Sequence, residues 1–221
     1  MNMELTFKAL KQQQRLHRED YSSSLGLRVH RALSWLEKSE QAENDLDSQF
    51  IYLWIAFNAA YANEININRR VSEQETFRNF IERLCELDTD NQLSDFLWQK
   101  FASSIRVLLT NKYIFQPYWD YQNNKVSEEE WHAEFKSANA FASKALGRKQ
   151  TSVVLSVIFY RLYTLRNQIL HGGATWNSGV NRDQVRDATA IMQEVVPVII
   201  KIMMDNYREL WGEPCYPVVM E

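Results

Sequence analysis

Cysteine, glycine and proline are all scarce: 2 Cys, 6 Gly and 4 Pro among 221 residues. Two thiols, Cys85 and Cys215, cannot form the framework of a small disulfide-stapled scaffold, and they lack the paired spacing of a zinc site. Both read as ordinary thiols of a reducing compartment. Few glycines and prolines mean little of the turn punctuation that a many-stranded protein needs, which leaves room for long helices. No stretch approaches the roughly 18 apolar residues that cross a bilayer. Met1 to Leu10 lacks the apolar core of a signal peptide. A cytoplasmic protein with no membrane contact is expected. The net charge of −3 excludes a generally basic nucleic-acid coat, so any contact with RNA has to come from a local patch. There is no G-x-x-x-x-G-K-[ST], no G-x-G-x-x-G and no H-E-x-x-H. The four histidines, His17, His30, His132 and His171, show no metal-ligand spacing, so neither a metal nor a cofactor is expected. The first three lie among charged neighbours and read as residues of solvated helix faces.

Apolar residues are plentiful at 45%, with 13% aromatics and 7 Trp, enough to build a core. Their spacing is helical. In 23–44, Leu25, Val29, Leu33 and Leu36 share a face, and in 46–63 Leu46, Phe50, Leu53, Trp54, Phe57 and Tyr61 step by threes and fours. Residues 4–20 read as a short helix or a partly ordered arm, and 64–74 as a polar loop. Ser72 with Glu75 resembles a capping box that opens a helix over 73–88. One helix is expected over 92–112; residues 113–126 then hold Pro117 and three aromatics, and Asn123 and Asn124 end that stretch in turn chemistry. Ser127 with Glu130 is a second capping box, for a helix that runs to about 145 and stops at Gly147. Residues 150–170 and 181–211 follow as long helices, the latter with Pro197 inside it, where one hydrogen bond is lost or the axis kinks. The tail from Pro214 lacks helical character, and no repeat, low-complexity tract or alternating strand segment appears. The sum is one all-α domain over 1–221, a bundle of six to eight helices.

The segment Arg166-Asn167-Gln168-Ile169-Leu170-His171-Gly172-Gly173 carries the most chemistry. It sets an arginine, an amide and a histidine at a helix end, where two glycines allow close approach. Arginine offers a planar fork that matches a phosphate. Histidine is suited to proton transfer near neutral pH. Together they are parts for cleaving RNA without metal: one group handles the ribose 2′-hydroxyl proton, the other the charge on phosphorus. The plainer alternative is that both side chains cap carbonyls at the helix end. Five residues at about 100° each also separate Arg166 and His171 by roughly 140° around an ideal helix. They converge only if the helix unwinds before Gly172 or if two chains pair.

This segment resembles the R-x4–6-H motif of the HEPN superfamily, in which the arginine is commonly followed by Asn, Asp or His; here Asn167 follows. Phe50-Ile51-Tyr52-Leu53-Trp54-Ile55-Ala56-Phe57-Asn58-Ala59-Ala60-Tyr61 is similar to the first long helix of the Apea-like HEPN group. The resemblance covers roughly 23–64 and 150–211 and leaves 65–148 as a helical elaboration between core helices. It implies a HEPN-like helical core that dimerises, with two motifs in one cleft. It further implies metal-independent endoribonuclease activity, as in toxin–antitoxin modules and phage defence, with an antitoxin protein as a partner. By position, Arg166 would contact phosphate, His171 would transfer the proton and Asn167 would orient the site. Asn58 is a further candidate, or else a buried structural amide. Arg161, Arg182 and Arg186, with Arg148 and Lys149, could line a positive groove for RNA, or be solvated among Asp183 and Asp187. Tyr118, Trp119 and Tyr121 could stack on bases or pack inside. In the HEPN group paired with minimal nucleotidyltransferases a tyrosine lies two residues after the histidine; here it is Gly173. The alternative to an enzyme is a non-catalytic HEPN-like dimer that binds RNA, a nucleotide or a partner protein.

Overall fold

The computed structural model describes residues 5–62, 73–180, 182–214 and 216. Helix α1 spans Phe7–His17, α2 Ser23–Gln41 and α3 Leu46–Tyr61. Each begins at a side-chain cap: Thr6, Ser22 and Asp45 accept from the N–H of Ala9, Leu25 and Ser48 respectively. The helices α2 and α3 pair along their lengths, and α3 in turn lies on α10, Arg182–Asp205. The apolar face of α2 predicted from spacing is buried throughout, as are Phe50, Leu53, Trp54 and Phe57 of α3. Burying an aromatic such as Phe57, which is 0% exposed, stabilises the fold by roughly 1.5–3 kcal/mol.

Helix α4, Glu73–Leu87, packs on α9, Thr151–Leu170, and delivers Phe77, Ile81 and Leu84 to the same core. Its expected capping residue, Ser72, lies outside the described residues. The single helix expected over 92–112 is interrupted. Gln92–Asp95 (α5) widens into a π-helical turn at Phe96–Lys100, where the Phe101 N–H reaches back five residues to the Phe96 carbonyl at 3.2 Å. Ala102–Leu109 (α6) then resumes. The stretch that follows holds a short 3₁₀ turn, Lys112–Ile114, and α7, Gln116–Gln122, with Pro117 in its first turn, where its missing N–H costs nothing, and it ends in the expected turn at Asn123 and Asn124, the latter at φ 57°. Helix α8, Glu128–Gly147, opens with the predicted capping box: Ser127 and Glu130 each receive the other's backbone N–H.

The described residues thus form ten α-helices, more than the six to eight expected, because α1 is a full helix, the π turn divides one segment and Pro117 starts another. The fold class is all-α as expected, and no described helix is long and apolar enough to cross a membrane. Helix α10 stops at Asp205, short of the expected 211, where Asn206 caps its last turn by donating to Ile202 O. Against the α9 flank, α7 and α8 close a second, aromatic cluster around Trp131, Phe115 and Tyr118. The tail is held by Arg28, fully buried, whose guanidinium donates to the carbonyls of Ala60, Ala62, Gly212 and Glu213 at 2.9–3.1 Å.

Candidate functional site

The motif occupies the last turn of α9 and its exit. Val154, Ile158, Leu162 and Leu165 turn one face of the helix into the core, which leaves Arg166 to Ile169 half-buried and His171 exposed. Helical geometry persists through Leu170, and His171 is the C-cap, its N–H on Asn167 O at 2.9 Å. Two further bonds stop the helix: Gly172 N–H to Ile169 O at 3.2 Å and Gly173 N–H to Gln168 O at 2.7 Å. With Gly172 at φ 70° this is a Schellman arrangement, which explains the glycine at that position. Gly173 is required for another reason. A Cβ there would lie 2.9 Å from the Gln168 carbonyl oxygen, so the tyrosine that some HEPN proteins carry at this spacing does not fit this backbone.

Arg166 donates through Nη1 to Asn167 Oδ1 at 2.8 Å, and its guanidinium carbon lies 5.7 Å from the Tyr163 ring centroid. Its Nε is buried with no hydrogen-bond partner among the described residues. Asn167 therefore anchors the arginine directly. The helix does not unwind before His171, so Arg166 and His171 keep different faces, about 140° apart. Within one chain they are not brought together in this way.

Two attachments at the motif escaped the sequence. Gln168 Nε2 donates to the Tyr113 carbonyl at 2.6 Å, and Trp119 Nε1 donates to the same oxygen at 2.8 Å. The Lys112–Gln122 segment is thereby tied to the motif turn. On the other side, the loop after the motif rests on the start of α3. Trp176 Nε1 lies 3.3 Å from both Asp45 carboxylate oxygens, and the Asn177 N–H donates to Asp47 Oδ2 at 3.0 Å. Hydrogen bonds, foremost from the Ser48 hydroxyl, hold the Asp45 carboxyl below its usual range. In the sequence, Asn44, Asp45 and Asp47 form a polar break between two helical stretches, and nothing in it marks a loop anchor.

The expected basic groove is not assembled. Arg161 is 1% exposed: its guanidinium lies 4.2 Å from the Phe115 ring centroid and bonds Leu109 O at 3.3 Å, with Nε and Nη1 unpartnered among the described residues. Burial pushes its pKa down to about 10. It reaches no surface groove. Arg182 is committed to Asp47 at 2.8 Å, and exposed Arg186 to Asp183 and Asp187 at 2.8 and 3.2 Å. Arg148 and Lys149 precede α9, a helix of 20 residues, which puts them about 30 Å from its far end. Tyr118 and Tyr121 pack on Trp131, at 5.1 and 6.0 Å between centroids, so they serve the aromatic cluster. Asn58 is half-buried on α3, its Oδ1 unpartnered among the described residues. No group of three or more His, Cys, Asp or Glu among the described residues is placed to hold a metal ion. No family model, no curated protein and no solved structure matches this chain.

Proposed function

We propose that the chain is a metal-independent endoribonuclease of HEPN type that works as a homodimer on single-stranded or looped RNA. The observation that carries this reading is Arg166. Its Nη1 is anchored on Asn167 while its buried Nε lacks a partner among the described residues, and an exposed histidine follows at the end of the same helix. A buried donor left unpaired costs about 1–3 kcal/mol, and a phosphate oxygen is the acceptor that a guanidinium fork suits best.

In the reaction His171 removes the proton from the ribose 2′-hydroxyl, and the 2′-oxygen attacks phosphorus. Arg166 stabilises the charge gathered on the phosphoryl oxygens, and Asn167 fixes the guanidinium. The 5′-oxygen leaves and takes a proton, so the products are a 2′,3′-cyclic phosphate and a 5′-hydroxyl. Since one straight helix holds Arg166 and His171 on different faces, the composite site draws its arginine and histidine from two paired motifs. A toxin or phage-defence role, with an antitoxin protein as inhibitor, belongs to the same proposal. The separation of Arg166 and His171 also favours a second reading, a non-catalytic helical dimer that uses Arg166 to bind RNA, a nucleotide or a partner protein.

The test incubates the protein with a mixed RNA pool in EDTA, beside Arg166→Ala and His171→Ala. The enzyme reading expects cyclic-phosphate ends from the wild type and a loss of about 10²–10⁴-fold in each variant, with unchanged melting curves. Full cleavage by both variants would sink it. RNA retained but uncut by the wild type, with weaker retention by Arg166→Ala, selects the binding module.

A further inference from the structure

A groove of about 550 Å³ lies between α1 and α2, remote in sequence from the motif. That volume falls within the range of small-ligand sites, about 300–1,000 Å³. Helix α1 lines it with Lys8, Lys11 and Arg15, which the three- and four-residue spacing sets on one face. Helix α2 faces them with His30 and Ser34. None of these four basic side chains takes part in an ion pair among the described residues. Glu37 also lines the groove, where its charge favours that of Lys11 although the two form no ion pair.

The larger groove beside α10 also holds two lysines, but there Lys100 pairs with Glu194 and Lys201 with Asp90 and Asp205. On a protein of net charge −3, three permanent cations share this groove with a single carboxylate, a local excess of positive charge that an anion would offset. Burial, then the neighbouring Arg15, lowers the Lys11 pKa, while the Glu37 carboxylate opposes them. Lys11 already donates to Gln14 Oε1 at 2.6 Å, which fixes its direction and leaves two ammonium protons to give. Phe7 closes one end of the groove with an apolar ring.

We propose that the α1–α2 groove binds a small diphosphate-bearing ligand, its phosphoryl oxygens on Lys8, Lys11 and Arg15. From Lys8 to Arg15 the helix advances about 10 Å, so the three cations form a row that two linked phosphoryl groups can follow. Net charge complements as well: three cations against one carboxylate offset most of a diphosphate. Ser34 and His30 supply the opposite wall. Inorganic pyrophosphate and a nucleoside diphosphate share this chemistry, and Phe7 offers the second a surface for its base. The site stands on its own residues and needs nothing of the motif.

The test is calorimetric titration of the whole protein at fixed ionic strength with pyrophosphate and, separately, ADP. Lys8→Glu and Arg15→Glu replace exposed side chains, so circular dichroism should be unchanged in both. Binding should weaken about tenfold or more in each. It should stay intact in Arg186→Glu, which alters an exposed arginine outside the groove, and in His171→Ala. ADP tighter than pyrophosphate, with the difference removed by Phe7→Ala, assigns the nucleotide as the source; equal affinity assigns the inorganic anion. No binding of either probe at millimolar concentration, or binding that survives both charge reversals, overturns the site.

Discussion

Replacing Arg161 by methionine is expected to stabilise the protein. Among the described residues the buried guanidinium is held by one long hydrogen bond, to Leu109 O at 3.3 Å, and by the face of Phe115 at 4.2 Å. Arg28 shows what a well-kept buried arginine has in this fold: four carbonyl acceptors at 2.9–3.1 Å. The fall of the Arg161 pKa to about 10 corresponds to roughly 3 kcal/mol against the charged form. Against this, the contact with Phe115 contributes about 1 kcal/mol and the bond to Leu109 about another. Methionine follows the same path as the arginine stem, fills similar space and brings no charge. The balance is a gain of about 1 kcal/mol, or about 2–4 °C in Tm for a chain of this size. Arg161 keeps its proton at neutral pH. A depressed base is penalised below its folded pKa, so the gain should be flat from pH 5 to 8. Thermal and urea unfolding followed by circular dichroism measure it, with Arg161→Ala as the contrast: its cavity costs about 2–4 kcal/mol. A loss above about 1 kcal/mol in Arg161→Met would refute the reasoning, since it would make the guanidinium a net stabiliser. RNA affinity, if present, should not change in Arg161→Met, because the side chain is 1% exposed.

Gly173→Ala should destabilise by about 1–3 kcal/mol and disturb the motif turn, since its Cβ meets Gln168 O at 2.9 Å and must open the bond that ends α9; an unchanged melting temperature contradicts this. Burial, then the charges of Asp88, Glu82 and Glu86, pushes the Cys85 thiol up to about 12. At pH 8 its thiolate fraction is about 10⁻⁴, so iodoacetamide should modify Cys85 of a Cys215→Ser protein about a thousandfold more slowly than an unperturbed thiol, and rapid labelling would show the site to be open.

Periodicity made the long helices legible, because one buried stripe such as Leu25, Val29, Leu33 and Leu36 repeats over several turns. Capping chemistry located the start of α8 for a local reason: both halves of its box lie within four residues. The π turn at Phe96–Lys100 was not legible, since it keeps the same apolar spacing while adding one residue to a turn. At the motif, the helix end was readable from Gly172 and Gly173, but the partners of its side chains were not. Gln168 meets Tyr113 across 55 positions, and Asp47 meets Asn177 across 130. Arg161 was misplaced for a related reason: nothing local says that Phe115, just before α7, and Phe135 of α8 will cover that face of α9. Arg182 and Arg186 have acids close by in sequence or space, and a count of basic residues does not show which are already neutralised.

The carboxylates at the start of α3 make the exit from the motif part of a cooperative unit. Asp45 caps α3 and holds Trp176, while Asp47 holds Asn177 and Arg182, the first residue of α10. The loop cannot lift as an isolated surface segment. Opening it strips Trp176 and Asn177 from the carboxylates at the start of α3 and the Ser178 carbonyl from Arg182 at the start of α10, so its amides should exchange with solvent together with the first turns of both helices, at one shared opening free energy.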